Sequence, residues 1–217
     1  MSITVKIDSE KSFKKGLDKA VKILSQGGIV GFPTESFYGL AVDAVNPVAI
    51  KKLFKIKKRD PSHPILILIS STKELPEYVS SMSPAAKEMG EKFWPGGLTM
   101  VFHPSPVLPA VLTGDTGKIG IRVSSHPIGN ALPRILSHPV TGTSANISGQ
   151  PPCTLADQVA DCIGDYLDLI LDGGETEGIA PSTILDMTKN PPVIIRKGIV
   201  KRESMIESGI CNEIITI

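Results

Sequence analysis

The chain has 217 residues, of which 41% are hydrophobic and 21% charged, a composition typical of a soluble globular protein. Its formal net charge of +1 gives no global electrostatic argument for a nucleic-acid or membrane partner. Three widely spaced cysteines, an odd number, argue against a disulfide framework and favour a reducing, cytoplasmic setting. The N-terminus lacks the apolar segment of a secretory signal, and the longest apolar run, residues 65–69, is too short to span a bilayer.

Apolar periodicity alternates between helix and strand patterns, which predicts an α/β fold. Capping residues and N-terminal prolines predict helices at 13–24, from 46–47, at 83–94, from 126–127 and at 154–163. Short apolar runs predict strands at 29–32, 65–69, 98–102, 118–123, 167–171, 183–187 and 193–196, with 140–143 a short strand or loop. Pro133 is expected to kink or split its helix, and Thr154 with Asp157 resembles a capping box. No composition shift marks a second domain, so residues 1–217 are expected to form one domain.

Several common catalytic motifs are absent from the sequence. It contains neither G-x-x-x-x-G-K-[ST] nor a G-x-G-x-x-G after a strand. The four histidines show no metal-ligand spacing, so no metal site is predicted. The segment GTSAN carries Asn146 where a nucleophile elbow requires glycine, which argues against a serine hydrolase.

A basic segment, KKLFKIKKR, occupies residues 51–59. Lys51, Lys52 and Lys55 are expected to form a solvated helix face. Lys57 and Arg59 come where the helix should end, before a predicted central strand, and such junctions commonly bind ligands. Ammonium and guanidinium groups suit phosphate oxygens, so the residues leave a phosphate site and a solvated end equally open.

Other polar segments each have a binding and a purely structural interpretation. VGFPTESFYGL, residues 30–40, is a polar turn after a strand or the wall of a site. TGTSANISG, residues 141–149, is a self-capped turn or a binding loop, and GIAPSTILD, residues 178–186, opens a strand with two hydroxyls. Arg122 and Arg196 lie in apolar strands, where an arginine needs an anion supplied by the protein or by a ligand.

In their order and spacing, these segments resemble the threonylcarbamoyl-AMP synthase family of the YrdC/TsaC type. PTESFYGL is similar to the family's P-T-E-T-x-Y-G-L, KKR with HPILILI to its K-x-R signature and following strand, and TSAN to its S-x-N signature. PSTI and IIRKG also match, so the resemblance covers roughly residues 10–200. It implies a strongly twisted mixed β-sheet flanked by helices, a YrdC/RibB-like α/β domain with a concave basic cavity. Because longer relatives carry a C-terminal addition, we expect the catalytic domain alone.

The resemblance also implies a reaction. L-threonine, bicarbonate and ATP become L-threonylcarbamoyladenylate and pyrophosphate, a nucleotidyltransferase reaction that serves threonylcarbamoyladenosine modification of tRNA. Magnesium is expected to arrive with ATP and not at a dedicated protein site. Downstream threonylcarbamoyl-transferase proteins are implied partners, direct binding of tRNA or double-stranded RNA is left open, and no membrane partner is expected.

Matching positions carry the family's site residues onto this chain. The implied catalytic residues are Lys57 and Arg59, the implied ATP-binding residues are Lys57, Arg59, Ser144, Asn146 and Arg196, and the implied threonine-binding residues are Thr34, Tyr38, Arg122, Thr143 and Ser182. Two positions depart from the family: Leu68 stands where many relatives carry a histidine near threonine, and His63 where asparagine is usual. Glu35 either orients Lys57 or Arg59, or caps the turn.

Two alternatives to this function stay open. The first is an RNA-binding module of the same fold without catalysis, which the basic segment favours and the low aromatic content of 5% disfavours. The second is a divergent paralogue that adenylates another carbamate or transfers a carbamoyl group, which the departure at Leu68 leaves open.

Overall fold

The computed structural model describes residues 3–217. Its α-helices are α1 (Glu10–Ser25), α2 (Pro47–Lys57), α3 (Leu75–Tyr78), α4 (Pro84–Phe93), α5 (Pro127–Leu136), α6 (Ala156–Ile163) and α7 (Arg202–Glu207). Short 3-10 helices cover Thr72–Glu74, Ala110–Leu112, Gly114–Thr116 and Gly164–Tyr166. The strands are β1 (Ile3–Lys6), β2 (Val30–Pro33), β3 (Tyr38–Ala41), β4 (Ile67–Leu68), β5 (Leu98–Phe102), β6 (Ile119–Arg122), β7 (Val140–Thr141), β8 (Thr143–Ser144), β9 (Leu169–Asp172), β10 (Thr183–Asp186), β11 (Val193–Arg196) and β12 (Ile215–Thr216).

The strands form two mixed sheets. The first has five strands in the order β1-β9-β2-β3-β8, and the second has seven in the order β12-β11-β10-β5-β6-β4-β7. Each sheet combines parallel pairs, such as β2 with β9 and β5 with β10, with antiparallel pairs, such as β2 with β3 and β5 with β6. The predicted α/β class is therefore confirmed, whereas the single sheet expected from the sequence is replaced by two.

Two apolar clusters hold these sheets and helices together. The larger contains Ile50, Leu53 and Phe54 of α2 with side chains of β5 and β6 such as Met100 and Ile121. The smaller joins α1 and α5 to β2 and β9, and it includes Leu17, Phe32 and Leu68. Within residues 3–217, no helix combines the length and the apolar character needed to cross a membrane.

Helix α2 begins and ends as its sequence predicts. The Asn46 side chain accepts hydrogen bonds from the backbone N–H groups of Val48 and Ala49, and Pro47 occupies the first turn. Lys58 ends the helix in the left-handed conformation with φ of 49°. The side chains on either side of this turn have different partners: Lys57 contacts the Ser144 carbonyl and Arg59 the Pro64 carbonyl. The exposed positions of Lys51, Lys52 and Lys55 confirm the predicted solvated face.

Two local predictions were wrong in detail. Pro133 does not split its helix: it is buried inside α5, which continues to Leu136 and packs Ile128, Ala131 and Leu132 into the smaller apolar cluster. The capping box predicted at Thr154 and Asp157 is not formed, because α6 begins later, at Ala156. The Gln158 side chain instead accepts a hydrogen bond from the Thr154 N–H at 2.8 Å.

The strand predicted at residues 65–69 is shorter than expected. Only Ile67–Leu68 pairs as β4, although its place between β6 and β7 is interior to the sheet. Ile65 donates its N–H to the Leu112 carbonyl, outside the sheet. Strands β1, β3 and β12 and helices α3 and α7 were not predicted, and the strand or loop predicted at 140–143 covers β7 and only the first residue of β8.

Candidate functional site

A cavity of about 950 Å³ is lined by residues from both sheets. Nine of the ten site residues predicted from the sequence line it, the exception being Lys57. These nine are Thr34, Tyr38, Arg59, Arg122, Thr143, Ser144, Asn146, Ser182 and Arg196. The structure therefore brings residues from separate sequence motifs together around one cavity. Which ligand each of these residues binds stays a prediction.

The face of the seven-stranded sheet forms the floor of this cavity. Alternate residues of each strand point to it: Thr99 and Val101 from β5, Lys118, Gly120 and Arg122 along β6, and Ser182, Ile184 and Asp186 along β10. Its polar residues therefore fall into two groups, one around Arg122 and the other around Lys118, separated by the apolar and glycine positions.

Arg122 forms a buried ion pair on this floor. Its Nη1 lies 2.7 Å from Glu35 Oε1, and the two side chains are 4% and 11% exposed. The Ser124 hydroxyl donates a hydrogen bond to the other oxygen of Glu35. Burial lowers the pKa of Arg122, while the Glu35 carboxylate acts to raise it. Glu35 thus neither orients Lys57 or Arg59 nor caps the turn: it is the counterion of Arg122.

The segment Thr34–Phe37 is both a turn and part of the cavity wall. It connects the antiparallel strands β2 and β3, in which Pro33 pairs with Tyr38. The Thr34 hydroxyl donates to the Phe37 carbonyl at 2.7 Å, and this bond closes the turn. Ser36 also lines the cavity. Within residues 3–217, three buried atoms have no hydrogen-bond partner: Ser36 Oγ, Arg122 Nε and Glu35 Oε1. Glu35 Oε1 is nevertheless 2.7 Å from Arg122 Nη1, a contact that is an ion pair without hydrogen-bond geometry.

Tyr38 lines the cavity with its hydroxyl already engaged. The side chain is fully buried, and its hydroxyl donates to the Gly174 carbonyl at 2.8 Å. Burial and the nearby Asp172 raise the pKa of Tyr38. The phenol therefore anchors the loop after β9 and stays protonated.

Arg196 and Ser182 form a hydrogen-bonded unit at the end of β11. Arg196 Nη2 donates to the Ser182 carbonyl at 2.9 Å and to its hydroxyl at 3.1 Å. The Ser182 hydroxyl is also 2.8 Å from that of Thr99. Partial burial and, to a smaller extent, the Arg122 and Arg59 guanidinium groups lower the pKa of Arg196.

Arg59 is held at the other side of the cavity by backbone carbonyls. Its Nη2 donates to the Pro64 carbonyl at 2.8 Å and its Nε to that of His63 at 3.4 Å. The exposed His63 side chain is absent from the cavity lining, so this residue contributes its carbonyl. No carboxylate pairs with Arg59 or Arg196 among the residues that the structure describes.

Lys57 lies behind the cavity wall and not in it. Its Nζ donates to the carbonyls of Ser144 and Asn146, each at 2.6 Å, and to Asn146 Oδ1 at 3.2 Å. The side chain is 1% exposed, and burial together with Arg59 lowers the pKa of Lys57 to about 8. Because an ammonium has three N–H groups, these contacts use its full donor capacity. The expectation that Lys57 contacts phosphate directly is therefore disfavoured, and its observed contacts fix the Ser144–Asn146 segment.

Leu68 does not line the cavity. The resemblance implied a position near threonine, because many relatives carry a histidine at the corresponding place. It is fully buried in the smaller apolar cluster, on the same strand face as Leu66 but two residues further along. Leu66 is the residue of this segment that reaches the cavity. Resemblance at one position could not reveal this, because the covering residues of α5 come from a distant part of the chain.

Sequence reasoning missed several lining residues, namely Ser36, Thr99, Thr116, Lys118 and Asp186. A usable signal existed for Lys118, because strand alternation puts it on the same face as Arg122. Among residues 3–217, no three His, Cys, Asp or Glu side chains are grouped to hold a metal ion. All three cysteines are free.

The cavity thus gathers three arginines and several hydroxyl groups in an α/β domain, and comparison with known proteins identifies the family of the chain. A family model described as telomere recombination (Sua5_yciO_yrdC) matches residues 22–198. The threonylcarbamoyl-AMP synthase of Pyrococcus abyssi (strain GE5 / Orsay) is 37% identical over 179 residues, which are 82% of this chain and 53% of that protein. That of Vibrio vulnificus (strain YJ016) is 37% identical over 172 residues, 78% of this chain and 92% of that protein.

A solved structure gives the same result. The crystal structure of P. abyssi Sua5 complexed with L-threonine superposes with a TM-score of 0.91 at 33% identity, covering 100% of this chain and 62% of that one. The chain belongs to the Sua5/YciO/YrdC family, as the resemblance of its motifs predicted. It spans about half the length of the first curated relatives, 53% for P. abyssi and 54% for Bacillus subtilis.

Proposed function

We propose that the protein synthesises L-threonylcarbamoyladenylate from L-threonine, bicarbonate and ATP. One observation carries the proposal: Arg59, Arg122 and Arg196 converge on one cavity, which the Ser144–Asn146 segment also lines. Guanidinium groups suit both carboxylate and phosphate, and the reaction brings both anions together. The naming of relatives as threonylcarbamoyl-AMP synthases supports the same reaction.

Arg59 and Arg196 are proposed to bind the triphosphate. Neither has a carboxylate partner within residues 3–217, so each keeps a positive charge available to a ligand. Arg59 is the proposed catalytic residue, because a cation beside the phosphates stabilises the charge that develops as pyrophosphate leaves. Ser144 and Asn146 are proposed to contact the nucleotide. Magnesium would enter with ATP, since its usual ligands there are phosphate oxygens and water.

The group around Arg122 is proposed to bind threonine. Arg122 Nε and Ser36 Oγ are buried donors without a protein partner within the described part of the chain, which suits a carboxylate and a hydroxyl. Thr34, Thr143 and Ser182 add neighbouring hydroxyls, and Tyr38 closes the wall. A P. abyssi relative of this fold binds L-threonine in its crystal structure, which supports this assignment.

The proposed chemistry needs no protein nucleophile. The threonine amine attacks the carbon of bicarbonate or carbon dioxide to give a carbamate, with water leaving when bicarbonate reacts. A carbamate oxygen then forms a bond to the α-phosphorus as the bond to the β-phosphate breaks, and pyrophosphate leaves. The protein aligns two mutually repelling anions, and the arginines offset the repulsion.

Lys57 is proposed to act in this reaction as a positioning residue. Its three hydrogen bonds hold the Ser144 and Asn146 carbonyls in one geometry, which fixes the hydroxyl and amide that face the nucleotide. The Ser144 hydroxyl in turn donates to Asn146 Oδ1 at 2.6 Å. Loss of the ammonium would therefore loosen the segment without removing a group that touches ATP.

The product would pass to threonylcarbamoyl-transferase proteins acting on tRNA, and a cytoplasmic location fits this role and the free cysteines. A second candidate function is RNA binding on the outer face of α2. Lys51, Lys55 and Lys58 are exposed there and have no carboxylate partner in the described range. Such a row supplies salt-sensitive phosphate contacts. The case for a divergent paralogue is weakened, because Leu68 lies outside the cavity.

Pyrophosphate release tests the proposal. Purified protein is incubated with ATP and bicarbonate, with and without L-threonine, and with serine or glycine in its place. Threonine-dependent release is expected, and Arg59→Ala should abolish it. Release that ignores threonine would contradict the proposal, serine or glycine outperforming threonine would favour the paralogue, and no release with salt-sensitive RNA binding would favour the binding module.

A further inference from the structure

We propose that Cys153 and Cys162 form a redox-sensitive dithiol, which a peroxide converts reversibly to a disulfide. The modification would loosen the Ser144–Asn146 segment from behind the cavity wall and so weaken nucleotide binding. Formation of the disulfide is independent of any reaction that the protein catalyses, whereas its effect on ATP rests on the proposed function. Neither cysteine lies in a sequence motif that resembles the family.

Cys153 is joined to this segment by its thiol. Its Sγ donates a hydrogen bond to the Ala145 carbonyl at 3.2 Å, between the two residues proposed to contact the nucleotide. Its backbone carbonyl accepts from the Tyr38 N–H at 2.9 Å, and the preceding residue, Pro152, lines the cavity. A chemical change at the Cys153 sulfur therefore acts on the cavity wall, although the sulfur itself does not line the cavity.

Cys162 brings a second sulfur to the same place. It belongs to α6 and packs against the larger apolar cluster, of which Cys153 is a buried member. The two thiols are near enough to interact: burial, and then the charge and hydrogen bonding of Cys162, raise the pKa of Cys153 to about 11. The third cysteine, Cys211, lies elsewhere, beside Glu88. Cys153 and Cys162 are therefore the pair that can be joined.

Lys57 places a cation beside both sulfurs. Its ammonium donates to the Ser144 and Asn146 carbonyls, and it interacts electrostatically with Cys162 and Cys153. A neighbouring cation favours the thiolate, which is the form of cysteine that reacts with peroxides. Cys162 is partly exposed whereas Cys153 is only 5% exposed, so a peroxide in solution reaches Cys162 first.

The modification is a two-electron oxidation. The Cys162 thiolate attacks one oxygen of hydrogen peroxide, which gives a sulfenic acid and releases hydroxide, and the hydroxide takes up the proton that the thiol lost. The Cys153 sulfur then attacks the Cys162 sulfur, and the sulfenic hydroxyl leaves as water with the Cys153 proton. Two thiols and one peroxide thus give one disulfide and two waters. A thiol reductant restores both cysteines by exchange.

The disulfide removes a hydrogen-bond donor from the nucleotide segment. The oxidised Cys153 sulfur carries no hydrogen, so the fully buried Ala145 loses the hydrogen bond to its carbonyl from this thiol. Loss of one such hydrogen bond should weaken ATP binding about fivefold. Disulfides that form transiently in reducing compartments commonly sense oxidants, which is consistent with the reducing setting expected from the cysteine count.

Peptide mapping and calorimetric titration with ATP test the inference on the same sample. The purified protein is treated with hydrogen peroxide, the remaining thiols are alkylated, and disulfide-linked peptides are identified by mass spectrometry. A peptide joining Cys153 to Cys162 is expected, with ATP affinity that falls about fivefold and recovers after dithiothreitol. Cys211→Ser is the matched control and should give both results. Cys162→Ser and Cys162→Ala should bind ATP as the unaltered protein does and keep that affinity in peroxide.

The opposite results would overturn the inference. Oxidation of Cys162 without a peptide that joins it to Cys153 would show that the two thiols do not react with each other. Formation of the joined peptide with unchanged ATP affinity would show that the dithiol does not act on the nucleotide segment. An equal loss of affinity in Cys162→Ser under peroxide would assign the effect to another oxidised group. Failure of the reduced protein to bind ATP would overturn the proposed function, and the peptide map would still decide whether the disulfide forms.

Discussion

Replacement of Glu35 by alanine tests the buried ion pair that organises the proposed threonine site. The Arg122 and Glu35 side chains are 4% and 11% exposed, so the substitution leaves a guanidinium in the interior without its counterion. Removing one partner of a buried pair costs about 3–5 kcal/mol of unfolding free energy. In a chain of this size, each kcal/mol lowers the melting temperature by roughly 2–4 °C, so a fall of roughly 6–20 °C is expected.

Thermal and urea unfolding, followed by the fluorescence of the buried Trp94, provide the measurement. Glu175→Ala removes the same charge from an exposed loop position and serves as the control. L-threonine should raise the melting temperature of Glu35→Ala more than that of the unaltered protein, because its carboxylate replaces the lost counterion. An exposed ion pair contributes less than about 1 kcal/mol. A loss of unfolding free energy of that size in Glu35→Ala would therefore contradict the role of Glu35 as a buried counterion.

Two further predictions concern Lys57 and Leu68. Burial together with Arg59 lowers the pKa of Lys57 to about 8, so its charge is lost as pH rises through that value. A neutral amine has one N–H fewer for the Ser144–Asn146 segment, so the ATP affinity measured by titration should fall between about pH 7 and about pH 9, and a flat profile would contradict the positioning role. Leu68→His buries a polar imidazole among apolar side chains, so it should lower the free energy of unfolding measured in urea by about 1–3 kcal/mol and leave the KM for threonine unchanged. Leu66→His should alter the KM for threonine. A KM that changes in Leu68→His and not in Leu66→His would contradict the assignment of Leu66 to the cavity.

Much of the fold could be predicted from the sequence because its signals are local. Alternating apolar runs and capping residues located α2, α4, β5 and β11 closely. The division into two sheets could not be predicted in this way, because it depends on pairing between distant segments. Strand β3, for example, pairs with β2 on one side and with β8, about a hundred residues later, on the other.

The candidate site shows the same limit at the level of side chains. Matched motifs brought nine lining residues together, whereas the partners of the charged groups were not predictable. Glu35 pairs with Arg122 from a distant part of the chain, and Lys57 and Arg59 bind different backbone segments on either side of Lys58, which ends the helix in the left-handed conformation. Strand alternation could have placed Lys118 on the same face as Arg122, although Lys118 lies outside every motif that resembles the family.

Product analysis with isotopically labelled bicarbonate tests the central claim most directly. The purified protein is incubated with ATP, L-threonine and the labelled bicarbonate, and nucleotide products are resolved by mass spectrometry. The account predicts one adenylate that contains threonine and the labelled carbon, formed together with an equal amount of pyrophosphate. An adenylate that lacks either component, or AMP and pyrophosphate formed without threonine, would contradict it.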